Sequence, residues 1–170
     1  MPYLPEEGIA ITNGFTLVEL SITIVVTSIV LLSAASLVLV SNEQFIQSQR
    51  EVEMIRDHNL ITSILSSRIK EGLSSDSHIY SDATKTTLST SGPCLCVMTA
   101  DSATVTFYLN TNDFVMSDQG GQTRVVTGLV TNLTFTEQYS ADSSKFIQVA
   151  LSTTRDGQTL NTNHIFSYRN

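Results

Sequence analysis

The chain opens polar, becomes apolar, and turns polar again. After the segment MPYLPEEGIAITNG, the stretch from Leu20 to Val40 (LSITIVVTSIVLLSAASLVLV) contains no charged side chain. At 1.5 Å per residue it spans roughly 32 Å, enough for a hydrocarbon core of ~30 Å. No Pro or Gly occurs between Phe15 and Gly72, and helix formers fill the polar part, SNEQFIQSQREVEMIRDHNLITSILSSRIKEG. The pattern predicts a single helix from Phe15 to Glu71, roughly 85 Å long.

The second half of that helix is amphipathic. Met54, Ile61 and Leu65, with His58 in the intervening turn, and a second row through Val52, Ile55 and Ile69 recur at helical spacing, which predicts one buried face. Arg50, Glu51, Glu53, Arg56 and Asp57 form the expected solvated side. Lys70 suits the carbonyl end of the helix, and Gly72 just beyond it accepts a left-handed capping conformation.

Beyond Gly72, SSDSHIYSDATKTTLSTSGP reads as a connector. Alternating apolar residues then predict strands around Val105, Phe107 and Leu109, at Phe114 to Met116, Thr123 to Val130, Leu133 and Phe135, Ile147 to Leu151, and Ile165 to Tyr168. Asn110-Thr111-Asn112-Asp113 marks one turn, and Asp156-Gly157 marks a two-residue hairpin because both positions tolerate positive φ. The expectation is an α+β fold, with a long N-terminal helix, membrane-spanning and then amphipathic, packed on an antiparallel β-sheet.

A formal charge of −7 over 170 residues offers no basic surface for nucleic acid or anionic lipid. The two cysteines, Cys94 and Cys96, are too few for a disulfide framework, so the fold must rest on apolar packing. Three fates stay open for the pair: a tight disulfide, metal ligation with outside ligands, or reduced burial. In a flat strand their side chains share a face with α-carbons nearly 7 Å apart, at the limit for bonding.

No metal or other cofactor is expected, because His58, His78 and His164 are isolated in sequence. No catalytic residue can be named either, since nucleophile, base and orienting group do not occur in a usable arrangement. Asn132-Leu133-Thr134 matches a glycosylation acceptor but falls inside a predicted strand and reads as chance. Calcium at Asp142 or Asp156 stays open, without an EF-hand-like ligand run behind it.

The order of the N-terminal parts is informative. A secretory signal places its cleavage site after the apolar run; here the one plausible site, Gly14 before Phe15, precedes it, so cleavage would leave the apolar helix on the mature chain. Glu19 is the second unusual feature. A carboxylate inside an apolar membrane segment costs roughly 2.5–3.5 kcal/mol, less near an end, so it calls for a cation. A new α-amino group on Phe15 would supply one, and in a low-dielectric helix bundle the two charges would attract strongly.

The run Gly14-Phe15-Thr16-Leu17-Val18-Glu19-Leu20 resembles the prepilin signature of type IV pilins and type II secretion pseudopilins. The resemblance implies cleavage by prepilin peptidase between Gly14 and Phe15, N-methylation of Phe15, and a role for Glu19 in assembly. It also implies partners: other pilin or pseudopilin subunits, an inner-membrane assembly platform and the lipid bilayer. The implied location is the bacterial inner membrane, single-pass with the N-terminus cytoplasmic and the head periplasmic, then the filament. The leader carries Glu6 and Glu7 and no basic residue, so orientation follows from the resemblance and not from flanking charge.

The expected organisation is a leader at 1–14, a transmembrane and assembly helix at 15–40, an amphipathic half-helix at 41–72 and a β-rich head at 73–170. The absence of a C-terminal cysteine pair and the ending HIFSYRN favour a minor pilin or pseudopilin, a structural subunit and not an enzyme. The alternative is a single-pass anchor carrying a binding module that never enters a filament.

Overall fold

The computed structural model describes residues 15–168, and Gly14 and the last two residues of the HIFSYRN ending lie outside them. One α-helix, α1 (Leu17–Glu71), is followed by short strands in an α+β arrangement. The chain forms two compact units that meet in sequence between Gln47 and Ser48.

The first unit is helical, with exposed side chains throughout its described residues. Leu17, Leu32 and Leu37 are exposed at 82%, 69% and 71%, although Leu is among the residue types most often buried. Its hydroxyls are spent internally: Ser21 donates to the Leu17 carbonyl, Thr23 to Glu19, Ser28 to Ile24, Ser33 to Ile29 and Ser36 to Leu32, at 2.7–2.9 Å. Each bond reaches back four residues, satisfying a polar group that an apolar surrounding would leave stranded. The helix is long and apolar enough to cross a membrane.

The second unit holds the strands β1 (His78–Tyr80), β2 (Leu88–Ser89), β3 (Ser91–Gly92), β4 (Cys94–Met98) and β5 (Thr104–Asn110). They are followed by β6 (Asp113–Asp118), β7 (Gly121–Val126), β8 (Val130–Tyr139), β9 (Lys145–Arg155) and β10 (Gln158–Ser167). These strands divide between two antiparallel sheets, ordered β2-β1-β4-β5-β6-β7 and β10-β9-β8-β3. Both expected turns close hairpins. Asn110 pairs with Asp113 across a turn in which Thr111 takes φ 59°, and Arg155 pairs with Gln158 across Asp156 and Gly157, at φ 49° and 82°. The stretch Thr123 to Val130 is not one strand, because the chain breaks at Gly128, φ 70°. Within the expected connector, β1, β2 and β3 form short pairings that its polar sequence does not announce.

One helix face packs on the sheets. Met54, His58, Ile61, Leu65 and Ile69 are buried, spaced so that each lies one turn from the next. Ile61, Leu65 and Ile69 join a core that includes Leu95, Val97, Phe107, Phe114, Phe135, Ile147, Val149 and Leu151. Burying an aliphatic or aromatic side chain of this kind contributes about 1.5–3 kcal/mol. The expected second row does not hold together: Val52 and Ile55 are 65% and 41% exposed, while Ile69 belongs to the first row. At about 100° per residue Val52 lies roughly 160° around the helix from Met54, beyond the reach of the sheets.

The helix terminus also departs from expectation. Gly72 is not among the left-handed glycines. A Cβ there would fall 2.3 Å from Val97 Cγ1, so glycine is needed for close approach and not for capping. The last turn closes with Gly72 N–H on the Ile69 carbonyl at 3.1 Å, and Leu73 N–H on Met98 O at 2.8 Å starts the pairing with β4.

Candidate functional site

Of the residues expected to serve processing and assembly, Phe15 and Glu19 lie at the start of α1. Phe15 is 80% exposed. Thr16 stands just before the helix and closes a reciprocal cap with Glu19. The Thr16 hydroxyl accepts from Glu19 N–H at 3.2 Å, and Glu19 Oε2 accepts from Thr16 N–H and from the Thr16 hydroxyl, both at 2.9 Å. Thr-x-x-Glu is a capping box, a signal present in the sequence. The cap holds the Glu19 carboxylate toward the chain's own start, one peptide away from the Phe15 nitrogen.

Downstream of this cap the helix carries no charge from Leu20 to Val40, and five of its hydroxyls there close on its own carbonyls. Residues 11–35 match the prokaryotic N-terminal methylation motif. This motif is the signature of type IV pilins and pseudopilins, and it marks the chain as pilin-like or pseudopilin-like. No curated protein and no solved structure matches the chain significantly. The methylation motif implies processing by prepilin peptidase and assembly with other pilins, and it points to a structural subunit and not an enzyme. Together with the apolar helix, the motif is consistent with anchoring in a membrane. Cleavage after Gly14 concerns a residue outside those described.

Away from the motif, other chemistry-bearing residues are held in structural roles. Cys94 and Cys96 are both free thiols on β4. Cys94 is buried, and that burial pushes its thiol pKa up to about 11, making it a poor nucleophile.

The histidines are not all isolated. His58 is buried, with Nδ1 3.1 Å from the Thr153 hydroxyl and Nε2 2.7 Å from that of Thr162. Its ring centroid lies 6.4 Å from that of His164, which stacks on Phe166 at 5.9 Å. Burial first, and the His164 charge second, lower the His58 pKa, so the neutral ring is the resident form. Among the described residues no three His, Cys, Asp or Glu side chains converge as metal ligands would.

Lys145 and Glu137 form an ion pair that is only 14% exposed on each side. Lys145 Nζ also donates to the Ser77 carbonyl at 2.8 Å and sits 5.9 Å from the Tyr168 ring centroid. The Tyr139 hydroxyl donates to Glu137 at 2.8 Å. This cluster ties the segment entering β1 to the ends of β8 and β9, and nothing in the local sequence signalled it. Desolvation drives the pKa of the buried Tyr168 hydroxyl well above the usual phenol range.

A cavity of about 590 Å³ opens where the helix end meets the β4–β5 and β6–β7 turns. Arg68 in its wall is tied to Glu71 at 3.1 Å, and the Thr99 hydroxyl donates to Asp101 at 2.5 Å. The polar groups of its lining are therefore largely spent on one another.

Proposed function

We propose that this chain is a minor pilin or pseudopilin, a structural subunit of a type IV pilus or type II secretion pseudopilus. Prepilin peptidase cuts after Gly14, the new Phe15 amine is methylated, and residues 15–40 serve first as membrane anchor and then as the assembly helix. Residues 41–72 carry the amphipathic half, and residues 73–170 form a periplasmic head. The observation that carries this reading is the match at residues 11–35, in which the apolar side chains from Phe15 onward are exposed.

The capped Glu19 fits the role. Before assembly, Thr16 satisfies its carboxylate at the polar end of the helix, which limits the cost of placing it next to lipid. In the filament, a neighbouring subunit's Phe15 amine replaces that partner, because a charge pair inside a helix bundle outweighs a neutral hydroxyl contact. The pairing sets the axial register of the incoming subunit.

Intact-mass measurement and N-terminal sequencing of the membrane-extracted protein, from cells containing a prepilin peptidase, test the proposal. A chain beginning at N-methylated Phe15 is expected. A chain beginning at Met1 would refute processing and leave a membrane-anchored binding module that enters no filament.

A further inference from the structure

The helix meets the strands of the second unit in two chemically different stretches. Toward its C-terminal end Ile61, Leu65 and Ile69 are at most 1% exposed and join the aliphatic and aromatic core. Nearer the start of the unit the contacts are polar. Among the described residues, four of them tie the helix between Arg50 and His58 to the outer half of the β9–β10 hairpin. Arg50 meets Asp156 at 3.1 Å, Glu53 meets Arg155 at 2.9 Å, and His58 meets the hydroxyls of Thr153 and Thr162 at 3.1 and 2.7 Å. Met54 is buried on the same helix face but lies outside the main core. The hairpin arm is itself fixed in its sheet, with Thr153 registered on Val130 of β8 and the Thr154 N–H on the Leu129 carbonyl at 2.8 Å. When the two part, the helix is the piece that moves.

His58 is the buried member of this set. The two ion pairs are well exposed, and such pairs contribute little. His58 has both ring nitrogens taken up by neutral hydroxyls, and since a hydroxyl can accept from one nitrogen and donate to the other, the arrangement is complete for the uncharged ring. The ring of His164 on β10 lies 6.4 Å away between centroids, so a charge on one opposes a charge on the other. The charged groups around the two rings are Glu53 and the half-buried Asp57 on the helix, Arg155 on β9, and Arg50 with Asp156 at the hairpin turn. None of the described ion pairs includes either histidine. Burial and the neighbouring ring are therefore not offset by a paired carboxylate, and the closed form resists a proton that the open form accepts.

We propose that this stretch is an acid-released latch: on protonation of His58 the helix between Arg50 and His58 comes away from the β9–β10 arm, while Ile61, Leu65 and Ile69 stay docked. Opening leaves the helix attached to the sheets through its aliphatic end and uncovers Met54. One proton sets the ceiling of the effect. Between an ordinary histidine value of about 6.5 in the open form and pH 5, the open population rises by at most ~30-fold. The inference rests on contacts inside the second unit and does not depend on the filament reading.

Oxidation of Met54 to the sulfoxide by dilute hydrogen peroxide in the detergent-solubilised full chain, followed by peptide mass, tests it, with free methionine in the same buffers calibrating the reagent. The Met54 rate should rise roughly tenfold from pH 7 to pH 5, while Met98 and Met116 on the strands keep theirs. His58→Gln can still hydrogen-bond but takes no proton, and it should remove the pH step at Met54. High salt weakens the exposed ion pairs and should raise the Met54 rate at both pH values without removing the step. The proposal is overturned if the wild-type Met54 rate does not change with pH, or if Met98 and Met116 accelerate with it, which would mean that the whole head opens. It is equally overturned if the step survives in His58→Gln, or if high salt abolishes it, which would assign it to the ion pairs.

Discussion

Ile29 and Ile61 sit on the same helix and meet opposite fates. Ile29 is 59% exposed and Ile61 is 0% exposed. From Phe15 to Gln47 the apolar side chains are exposed among the described residues, while from Ser48 onward a helix stripe and two sheets bury one another. Helix formation is thus common to both regions, and what differs is whether the chain supplies its own apolar surroundings. The second unit does so, and the first depends on lipid or other helices.

The contrast can be broken most sharply in the core. Phe107→Ala, at a fully buried site, should lower the head's unfolding free energy by about 3–5 kcal/mol in a denaturant titration. Ile29→Ala should leave that titration unchanged. Equal effects would mean that the two regions fold as one cooperative block.

A smaller loss is expected where charge is nearly buried. Lys145→Met leaves Glu137 without its cation and should cost about 2 kcal/mol, a figure reduced from that of a fully buried pair by the remaining exposure. The double variant Lys145→Met/Glu137→Leu should recover much of that loss. Failure to recover would show that the Ser77 contact, and not the ion pair, is what matters.

His58 adds a pH dependence confined to the second unit. Its folded-state pKa is lowered, so below about pH 6.5 the unfolded chain binds the proton more readily than the folded one. Stability from this residue is complete above that pH and declines as the pH falls through the unfolded value toward the lower folded one. His58→Gln should flatten the melting temperature of the head between pH 7 and pH 5. An unchanged slope would assign the acid sensitivity elsewhere.

The smallest effect belongs to the helix start. Thr16→Ala removes half of the cap and should cost about 1 kcal/mol of local helix stability. It should appear as faster amide exchange in the first turn, with no change in the head's melt. Glu19→Ala removes the other half together with the assembly charge, so filament or secretion output should fall while membrane insertion persists. Output equal to wild type would rule out the pairing role.

Much of this architecture was legible in the residues. A break-free run with a charge-free first half predicts the helix, and Asp156-Gly157 predicts the last hairpin, because those signals are local. The missed pieces depend on distant partners. His58 meets Thr153 and Thr162 across sequence separations of 95 and 104 residues. Gly72 answers to Val97, and no helix-end rule foretells that contact. Strands β1, β2 and β3 are two or three residues long, too short for alternation to show. Val52 and Ile55 repeat at helical spacing as well as the buried row does, and only the placed sheets distinguish the two faces. At the helix start, Thr16 and Glu19 can be read as a cap from spacing alone.

The hydroxyls of Ser21, Thr23, Ser28, Ser33 and Ser36 all close on carbonyls one turn back. Each polar group therefore carries its own bond partner with it. At these five positions a lipid surrounding and a protein one meet the same satisfied hydroxyls, so the two differ there only in dispersion contacts and lipid entropy.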